Sequence, residues 1–349
     1  MSENPAAPNH VMQEIQLDFW NSLAGFRDEW QNSQNDVASP LFHYTTTASM
    51  MSICETRSIW ATDVFYLNDA SEFTYAIDLV NQVANEVYGD LSSELQEHFQ
   101  HDPLSEFFAI AQRRDHPFVA SFCENGDLLS QWRGYSKGDA GVALGLWLRP
   151  LSGRDNFMLR KVIYEPEEQR RLVRTVVEAW VTAYRRRLTE VGAPQKPDWS
   201  VLSQALDEQL LSFKHPGFAE EQEWRLITRI DPRHEMNIGQ QRQRDFVEYQ
   251  YALERARYTP ASADEPTLAI GFESRNVKFR AAGNGLVPYV EISLEETGGV
   301  RDGLLPLLSV VQGPRESPDL ARESLRFFWE SNGYDIGPIK TSGIPLREN

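Results

Sequence analysis

Cysteine is scarce in this sequence, and its scarcity excludes several classes of protein. The two cysteines, Cys54 and Cys123, cannot build a disulfide framework or a four-thiolate zinc site. None of the seven histidines joins them in a zinc-binding spacing, so we expect no bound metal. Both thiols lie in apolar stretches, which favours buried free cysteines in a reducing cytoplasm.

Long apolar runs are absent as well. No segment approaches the roughly 20 consecutive apolar residues that a membrane-spanning helix needs. The first residues, Met-Ser-Glu-Asn-Pro, lack the basic segment and the apolar core of a signal peptide. Together these observations predict a cytoplasmic protein that does not enter a membrane.

The sequence also lacks a surplus of positive charge and the common phosphate-binding loops. Lysine and arginine total 34 against 51 aspartates and glutamates, a formal net charge of -17 at pH 7. Because such a chain repels polyanions at long range, non-specific binding of DNA or RNA is not expected. Neither a Walker loop nor a Gly-x-Ser-x-Gly elbow occurs, which leaves carboxylates, His43 and aromatic residues as candidates for chemistry.

The pattern of apolar residues predicts the fold class and its divisions. Many short apolar strands, with helices at irregular intervals, indicate an α+β fold with mixed or antiparallel central sheets and peripheral helices. We expect an N-terminal helical extension over residues 1–40, with an amphipathic helix at 10–34 that packs on its own chain or serves a protein partner. A single α+β domain over 41–349 would carry a helical insertion at about 165–213.

Residues 41–46 predict a strand that leads directly into a helix. Met50, Met51, Cys54 and Ile59 fall on one face of this helix, and Thr47 or Ser49 would cap its N-terminus. Further strands are predicted at 268–272 and, near the C-terminus, at 336–340.

The strand at 41–46 brings His43, Tyr44 and Thr45 to one strand end. A strand end beside a helix N-terminus is a common position for a small-molecule site. The alternative interpretation is that His43 and Tyr44 are ordinary strand residues with satisfied hydrogen bonds.

Several short motifs follow this strand in order, and they resemble the bacterial DUF2971 family, which has no assigned function. They are Phe42-His43-Tyr44-Thr45, Trp60-Ala61-Thr62-Asp63, Tyr66-Leu67-Asn68-Asp69, Ser121-Phe122-Cys123-Glu124, Gln131-Trp132-Arg133-Gly134-Tyr135 and Glu223-Trp224-Arg225-Leu226. The His-Tyr-Thr start and the later Glu-x-Glu strand also resemble the ADP-ribosyltransferase fold. In that fold a strand-borne histidine holds NAD and a later glutamate is catalytic.

The second resemblance implies an enzyme that consumes NAD as a cosubstrate. It would be an ADP-ribosyltransferase acting on an unknown acceptor, or an NAD glycohydrolase. His43 would orient NAD, Tyr135 or Tyr44 would stack on nicotinamide, and Glu223 would stabilise the ribosyl cation. The residues that would contact NAD are His43, Tyr44, Thr45, Ser121 and Arg133.

Glu223 is the sharpest candidate on chemical grounds. If it opens a strand, Glu221 and Glu223 point to the same side of that strand. A carboxylate beside the bond between nicotinamide and ribose stabilises the oxocarbenium-like centre that forms when the bond breaks. Alternatively, Glu223 pairs with Arg225 or Arg133. For Glu221, like its neighbour Glu220, a solvated carboxylate is the favoured expectation.

The residues around Trp132 form a second group of candidates. Trp132 is expected in the core. Tyr135 either packs in the core as well or stacks on a ligand, and Arg133 could hold a phosphate bidentately. Three further cations would either serve a pyrophosphate or pair with the excess of acidic residues. They are Lys214, Arg280 and Arg347.

A different class of function uses the same residues without chemistry. A binding or sensor module would hold a nucleotide or a peptide without turnover, with the N-terminal helix as a partner surface. The transferase interpretation requires His43, Tyr135 and Glu223 to converge. If His43 and Glu223 lie on opposite faces of the sheet, the transferase interpretation in this form fails.

Overall fold

A computed structural model describes twelve stretches of the chain. They are residues 8–33, 37–67, 70–92, 96, 116–135, 141–148, 157–191, 199–230, 277–282, 285–294, 303–315 and 317–345. The predicted strand at 268–272, the motif residues Asn68 and Asp69, and Arg347 lie outside the described residues. Within them, helices and a mixed sheet together confirm an α+β structure.

Eight α-helices occur in the described residues, and most follow apolar residues spaced three or four apart. They are α1 (Pro8–Ser22), α2 (Ala24–Ser33), α3 (Thr47–Thr56), α4 (Ala70–Gly89), α5 (Leu129–Tyr135), α6 (Pro166–Val191), α7 (Trp199–Leu210) and α8 (Pro318–Ser331). In α6 the spacing of Leu172, Val176 and Trp180 places all three on one buried face. Pro166 begins this helix, where no intrahelical amide bond is needed.

Ten strands, again counted over the described ranges, form one sheet. They are β1 (Leu41–Thr46), β2 (Ser58–Asp63), β3 (His116–Cys123), β4 (Gly141–Leu146), β5 (Met158–Lys161), β6 (Glu223–Ile230), β7 (Lys278–Ala282), β8 (Gly285–Ser293), β9 (Leu307–Gln312) and β10 (Lys340–Thr341). Their order is β10-β9-β4-β1-β3-β2-β8-β7, with β6 joining β3 to β5. The β9–β10 pair is parallel and the other recorded pairs are antiparallel.

Strand β3 has three partners, and this arrangement positions the candidate site. One edge of β3 pairs with β6 along its whole length, from His116 to Cys123. The other edge is divided: β1 pairs at Cys123, and β2 pairs at Val119 and Phe118. Residues 120–122 therefore lie where β1 and β2 diverge.

Two large apolar clusters stabilise the described part of the molecule. One covers the face of the sheet that bears Phe118, Ala120 and Phe122, and it includes Trp329 of α8. We call this side the Phe122 face. The other cluster joins α1, α4, α6 and α7, so the apolar side of α1 packs on its own chain. Burial of this size is what offsets the loss of chain entropy on folding.

The structure corrects four local predictions. The N-terminal helix at 10–34 is divided into α1 and α2 at Leu23. Helix α3 ends at Thr56, so Ile59 lies on β2 instead of on the predicted helical face. The cap is Thr46 instead of Thr47 or Ser49, because the Thr46 side chain accepts the Ser49 amide. The terminal strand is only Lys340–Thr341, because pairing with β9 begins there.

Candidate functional site

Glu223 is the first residue of β6, and its side chain is buried among cations. Arg225 donates from Nε to Oε1 over 3.0 Å and from Nη2 to Oε2 over 3.1 Å. Lys214 Nζ donates to Oε2 over 3.0 Å, and the Ser121 hydroxyl is also bonded to the carboxylate. The interpretation that Glu223 pairs with Arg225 is therefore confirmed. We call Lys214, Glu221, Glu223 and Arg225 the Glu223 cluster.

Glu221 reaches the same lysine from the turn that precedes β6. One of its carboxylate oxygens lies 2.6 Å from Lys214 Nζ, and its side chain is 16% exposed. The expectation of a solvated Glu221 is therefore wrong, whereas Glu220 is exposed as expected. Gln222 adopts a left-handed conformation with φ 44°. The two carboxylates therefore come together because the chain turns at Gln222, and not because side chains alternate along a strand.

Further polar groups surround the cluster on the same side of the sheet. Ser121 and Cys123 lie opposite Arg225 and Glu223 in the β3–β6 register, so their side chains share one face, which we call the Glu223 face. The Tyr164 hydroxyl accepts the Glu223 amide over 3.0 Å. Tyr135, at the end of α5, approaches the cluster closely enough to interact with the Glu223 charge.

The electrostatics of the cluster follow from burial and from two cations. Burial alone would raise the pKa of Glu223, but Arg225 and Lys214 outweigh it and lower the pKa to about 2. Burial of its hydroxyl, with the Glu223 charge added, raises the pKa of Tyr135 to about 12, although its side chain as a whole is partly exposed. The same two causes raise the pKa of the Cys123 thiol. At neutral pH the site thus presents a fixed carboxylate beside a neutral phenol and a neutral thiol.

Sequence reasoning missed two residues near Glu223. Arg160 on β5 is buried and pairs in register with Arg225, so two arginines are cross-strand neighbours. Like charges placed opposite each other destabilise a sheet unless an anion lies close by, which gives Glu223 a structural role. The other missed residue is Tyr164. Arg160 could have been found in the sequence, because it is an arginine within an apolar strand. No feature of the sequence indicated Tyr164.

The structure places His43 on the opposite side of the sheet. Its register partner on β4 is Leu144, a member of the apolar cluster on the Phe122 face. Phe42 pairs with Cys123, and Cys123 pairs with Glu223, so Phe42 shares the Glu223 face and His43 points away from it. The predicted convergence of His43 with Glu223 is therefore wrong.

The contacts of His43 are those of a packed strand residue. Its Nδ1 donates to the Ser121 carbonyl over 3.1 Å, at the place where β1 and β2 diverge along β3. Its ring lies 5.7 Å from the Phe122 ring, centroid to centroid. Burial lowers the pKa of His43, and the bond to Ser121 opposes that shift, so the ring is neutral near pH 7.

The two residues that follow His43 on β1 are buried. The Tyr44 hydroxyl donates to the Asn125 carbonyl over 2.8 Å and accepts the Leu128 amide over 2.9 Å. Its ring packs edge-on against Trp132. Thr45 faces the apolar side with His43. The predicted NAD contacts of these residues stay predictions, but neither side chain lies open at a strand end.

The remaining candidates differ in their exposure and in their partners. Trp132 is buried, which confirms its place in the core, whereas Arg133 is exposed. The cations bonded to Glu223 are Arg225 and Lys214, so the structure does not bear out an Arg133 pairing. Arg280, which lies on β7, donates to the hydroxyl of Thr62 on β2. Of the predicted site residues, the structure therefore brings Glu223, Ser121 and Tyr135 together.

Comparisons with known proteins add one finding. A family model described as "Protein of unknown function (DUF2971)" matches residues 131–226. The match supports the predicted family. It spans Tyr135 and the whole Glu223 cluster, whereas His43 and Ser121 precede it. No curated protein and no solved structure gives a match.

Two further properties concern the described residues alone. Among them, no group of three histidine, cysteine, aspartate or glutamate side chains is arranged to hold a metal ion. In the same part of the chain, no helix combines the length and the apolar character needed to cross a membrane.

Proposed function

We propose that the protein binds a nucleotide at the Glu223 cluster and holds it without consuming it. The observation that carries the proposal is Tyr135, which is 41% exposed although it lies beside a buried charged cluster. Ligand sites typically combine an accessible aromatic surface with a few fixed polar groups. Groups with shifted pKa values also concentrate at functional sites.

The chemistry of the site suits the nucleoside part of such a ligand. Tyr135 and Phe218, both partly exposed, offer flat apolar surface to a base or to nicotinamide. Lys214 lies over the Phe218 ring at 5.0 Å and also bonds Glu221, so the aromatic and charged groups are adjacent. The Glu221 carboxylate would accept hydrogen bonds from ribose hydroxyls.

The charge balance favours binding over catalysis. Stabilising a ribosyl cation requires a carboxylate whose negative charge is available to the substrate. Glu223 instead has two cations within 3.1 Å and a hydroxyl on the same carboxylate. Its field at a substrate is largely cancelled, and His43 does not face the same side of the sheet.

Titration calorimetry with NAD, ADP, adenosine and nicotinamide tests the proposal. We expect one of the nucleotides to bind. Tyr135→Ala should raise the Kd of that nucleotide about tenfold, as the loss of one stacking surface does. Tyr66→Ala is the matched control, because Tyr66 is 50% exposed and lies in the turn after β2. Absence of binding for all four compounds, or equal effects of the two variants, would overturn the proposal.

The second candidate is an NAD-consuming ADP-ribosyltransferase or NAD glycohydrolase whose site does not include His43, because His43 lies on the opposite face of the sheet. It is supported by the spacing Glu221-Gln222-Glu223 at the start of a rigid strand, with Tyr135 close by. Incubation with NAD and measurement of released nicotinamide decides between the two. Release that falls by about 10²-fold in Glu223→Gln, per folded molecule, would establish this candidate in place of simple binding.

A further inference from the structure

A single carboxylate, that of Asp127, joins α5 to the C-terminal end of the described chain. Its Oδ1 accepts the Trp132 indole N–H over 2.7 Å and the Ser342 hydroxyl over 2.5 Å. Its Oδ2 accepts the Gly343 amide over 2.9 Å. Charge-assisted bonds of this kind are stronger than bonds between neutral groups, so residues 215 positions apart are firmly connected.

The C-terminal segment is fixed to the sheet on its other side. Thr341 pairs with Gln312, and the Ser342 amide donates to the Gln312 carbonyl over 2.8 Å. The Ser342 hydroxyl also accepts the Ile344 amide over 3.1 Å, which folds the segment back towards α5. Ile344 then packs on the small apolar cluster that contains Trp132.

Helix α5 depends on such contacts for its position. It has seven residues, fewer than an isolated helix needs to be stable in water. Trp132 anchors it in a tight space, because a Cβ added at Gly313 would lie 3.1 Å from the indole ring and 2.9 Å from the Gly141 carbonyl. Tyr135 follows Trp132 by three residues, so both lie on one side of the helix.

We propose that residues 342–345 form a strap that positions α5, with Asp127 as a positioning residue for Tyr135. The carboxylate holds the Trp132 indole, Trp132 fixes the rotation of α5, and that rotation presents Tyr135 to the Glu223 cluster. The effect on ligand affinity rests on the proposed nucleotide site. The strap itself does not, because it is defined by contacts within the chain.

Amide hydrogen exchange on the full chain tests the strap directly. In Asp127→Asn and in Ser342→Ala, exchange of residues 129–135 should rise by on the order of tenfold, while β6 keeps its protection. Ser342→Thr retains the hydroxyl and should preserve wild-type exchange. Asp319→Asn is the control, because Asp319 is an exposed carboxylate on α8 whose recorded bond is to Arg322 of the same helix. Unchanged exchange in α5, or an equal rise in β6, would overturn the proposal.

The Kd for NAD provides the second measurement. If wild-type protein binds NAD, both strap variants should weaken the Kd by about tenfold and the Asp319 variant should not. Faster α5 exchange with unchanged NAD affinity would overturn the positioning role of Asp127. If the wild-type protein binds none of the nucleotides, the proposed function fails, and the exchange of α5 alone decides whether the strap exists.

Discussion

Ser121 lies between His43 and Glu223, and it binds each of them through a different atom. Its carbonyl accepts from the His43 ring, and its hydroxyl is bonded to the Glu223 carboxylate. On the Phe122 face, burial among apolar side chains keeps the histidine neutral. On the Glu223 face, two cations keep a buried carboxylate charged. His43 is thus neutral and Glu223 is negatively charged because the neighbours of the two residues differ.

The largest expected effect comes from removing the charge of Glu223. Glu223→Gln would remove the carboxylate that binds both Lys214 and Arg225, with Arg160 across the strand from Arg225, while Lys214 keeps its bond to Glu221. We expect the free energy of unfolding to fall by about 3–5 kcal/mol, the usual cost of removing one charged partner from a buried ion pair. Urea unfolding measures this loss.

Glu220→Gln is the matched control for that variant. Glu220 is exposed and lies in the turn before β6, so its unfolding free energy should change by less than about 0.5 kcal/mol. A loss below about 1 kcal/mol in Glu223→Gln would show that the two faces differ less than their contacts indicate. That outcome would also reopen the catalytic role of Glu223.

Acid should remove the same stabilisation in the unmodified protein. The pKa of Glu223 is lowered from 4.5 to about 2 in the folded state. The stability that this group contributes is therefore fully present above about pH 4.5 and is lost as the pH falls towards 2. Urea midpoints at pH 5, 4 and 3 should fall more steeply for the wild type than for Glu223→Gln. Parallel slopes would contradict the assigned charge state.

The sequence predicted the individual elements near the site well, for a local reason. Glu223 opens β6, as the apolar residues Trp224, Leu226 and Ile227 that follow it indicate. Helix α6 begins at Pro166, within one residue of the start of the helical insertion expected at about 165–213, since its apolar spacing and Pro166 mark the first turn. Periodicity within one element is visible in the sequence alone.

The relation between elements was not visible in the sequence. Alternation shows that His43 and Tyr44 point to opposite sides of β1, but not which of them shares a face with Glu223. That depends on the pairing of Phe42 with Cys123, and a shift of one residue would exchange the faces. The left-handed Gln222 was also unexpected, because a residue with a side chain seldom adopts that conformation.

His43→Ala tests the role of His43 on the Phe122 face. It removes the bond to the Ser121 carbonyl and the contact with Phe122, so we expect a loss of about 2–3 kcal/mol in unfolding free energy. The Kd for NAD, if NAD binds, should not change in the folded molecules. His215→Ala is the control, because His215 is exposed, and its contacts are a local bond from the Gly217 amide and an edge-on contact with the Tyr75 ring. A weaker Kd with unchanged stability would return His43 to the ligand site.

The smallest effect is expected from Tyr44→Phe, which changes one oxygen atom on the Glu223 face. The phenol joins the Asn125 carbonyl to the Leu128 amide, directly before α5, and its ring packs against Trp132. Phenylalanine keeps the ring contact but leaves both backbone groups without this partner, so we expect a loss of about 1–2 kcal/mol. Tyr66→Phe, at an exposed tyrosine, should change stability by less than about 0.5 kcal/mol. Thermal unfolding of the two variants measures the difference. If they behave alike, the Tyr44 hydroxyl does not hold the turn before α5, and the interpretation of Tyr44 as a ligand-binding residue regains support.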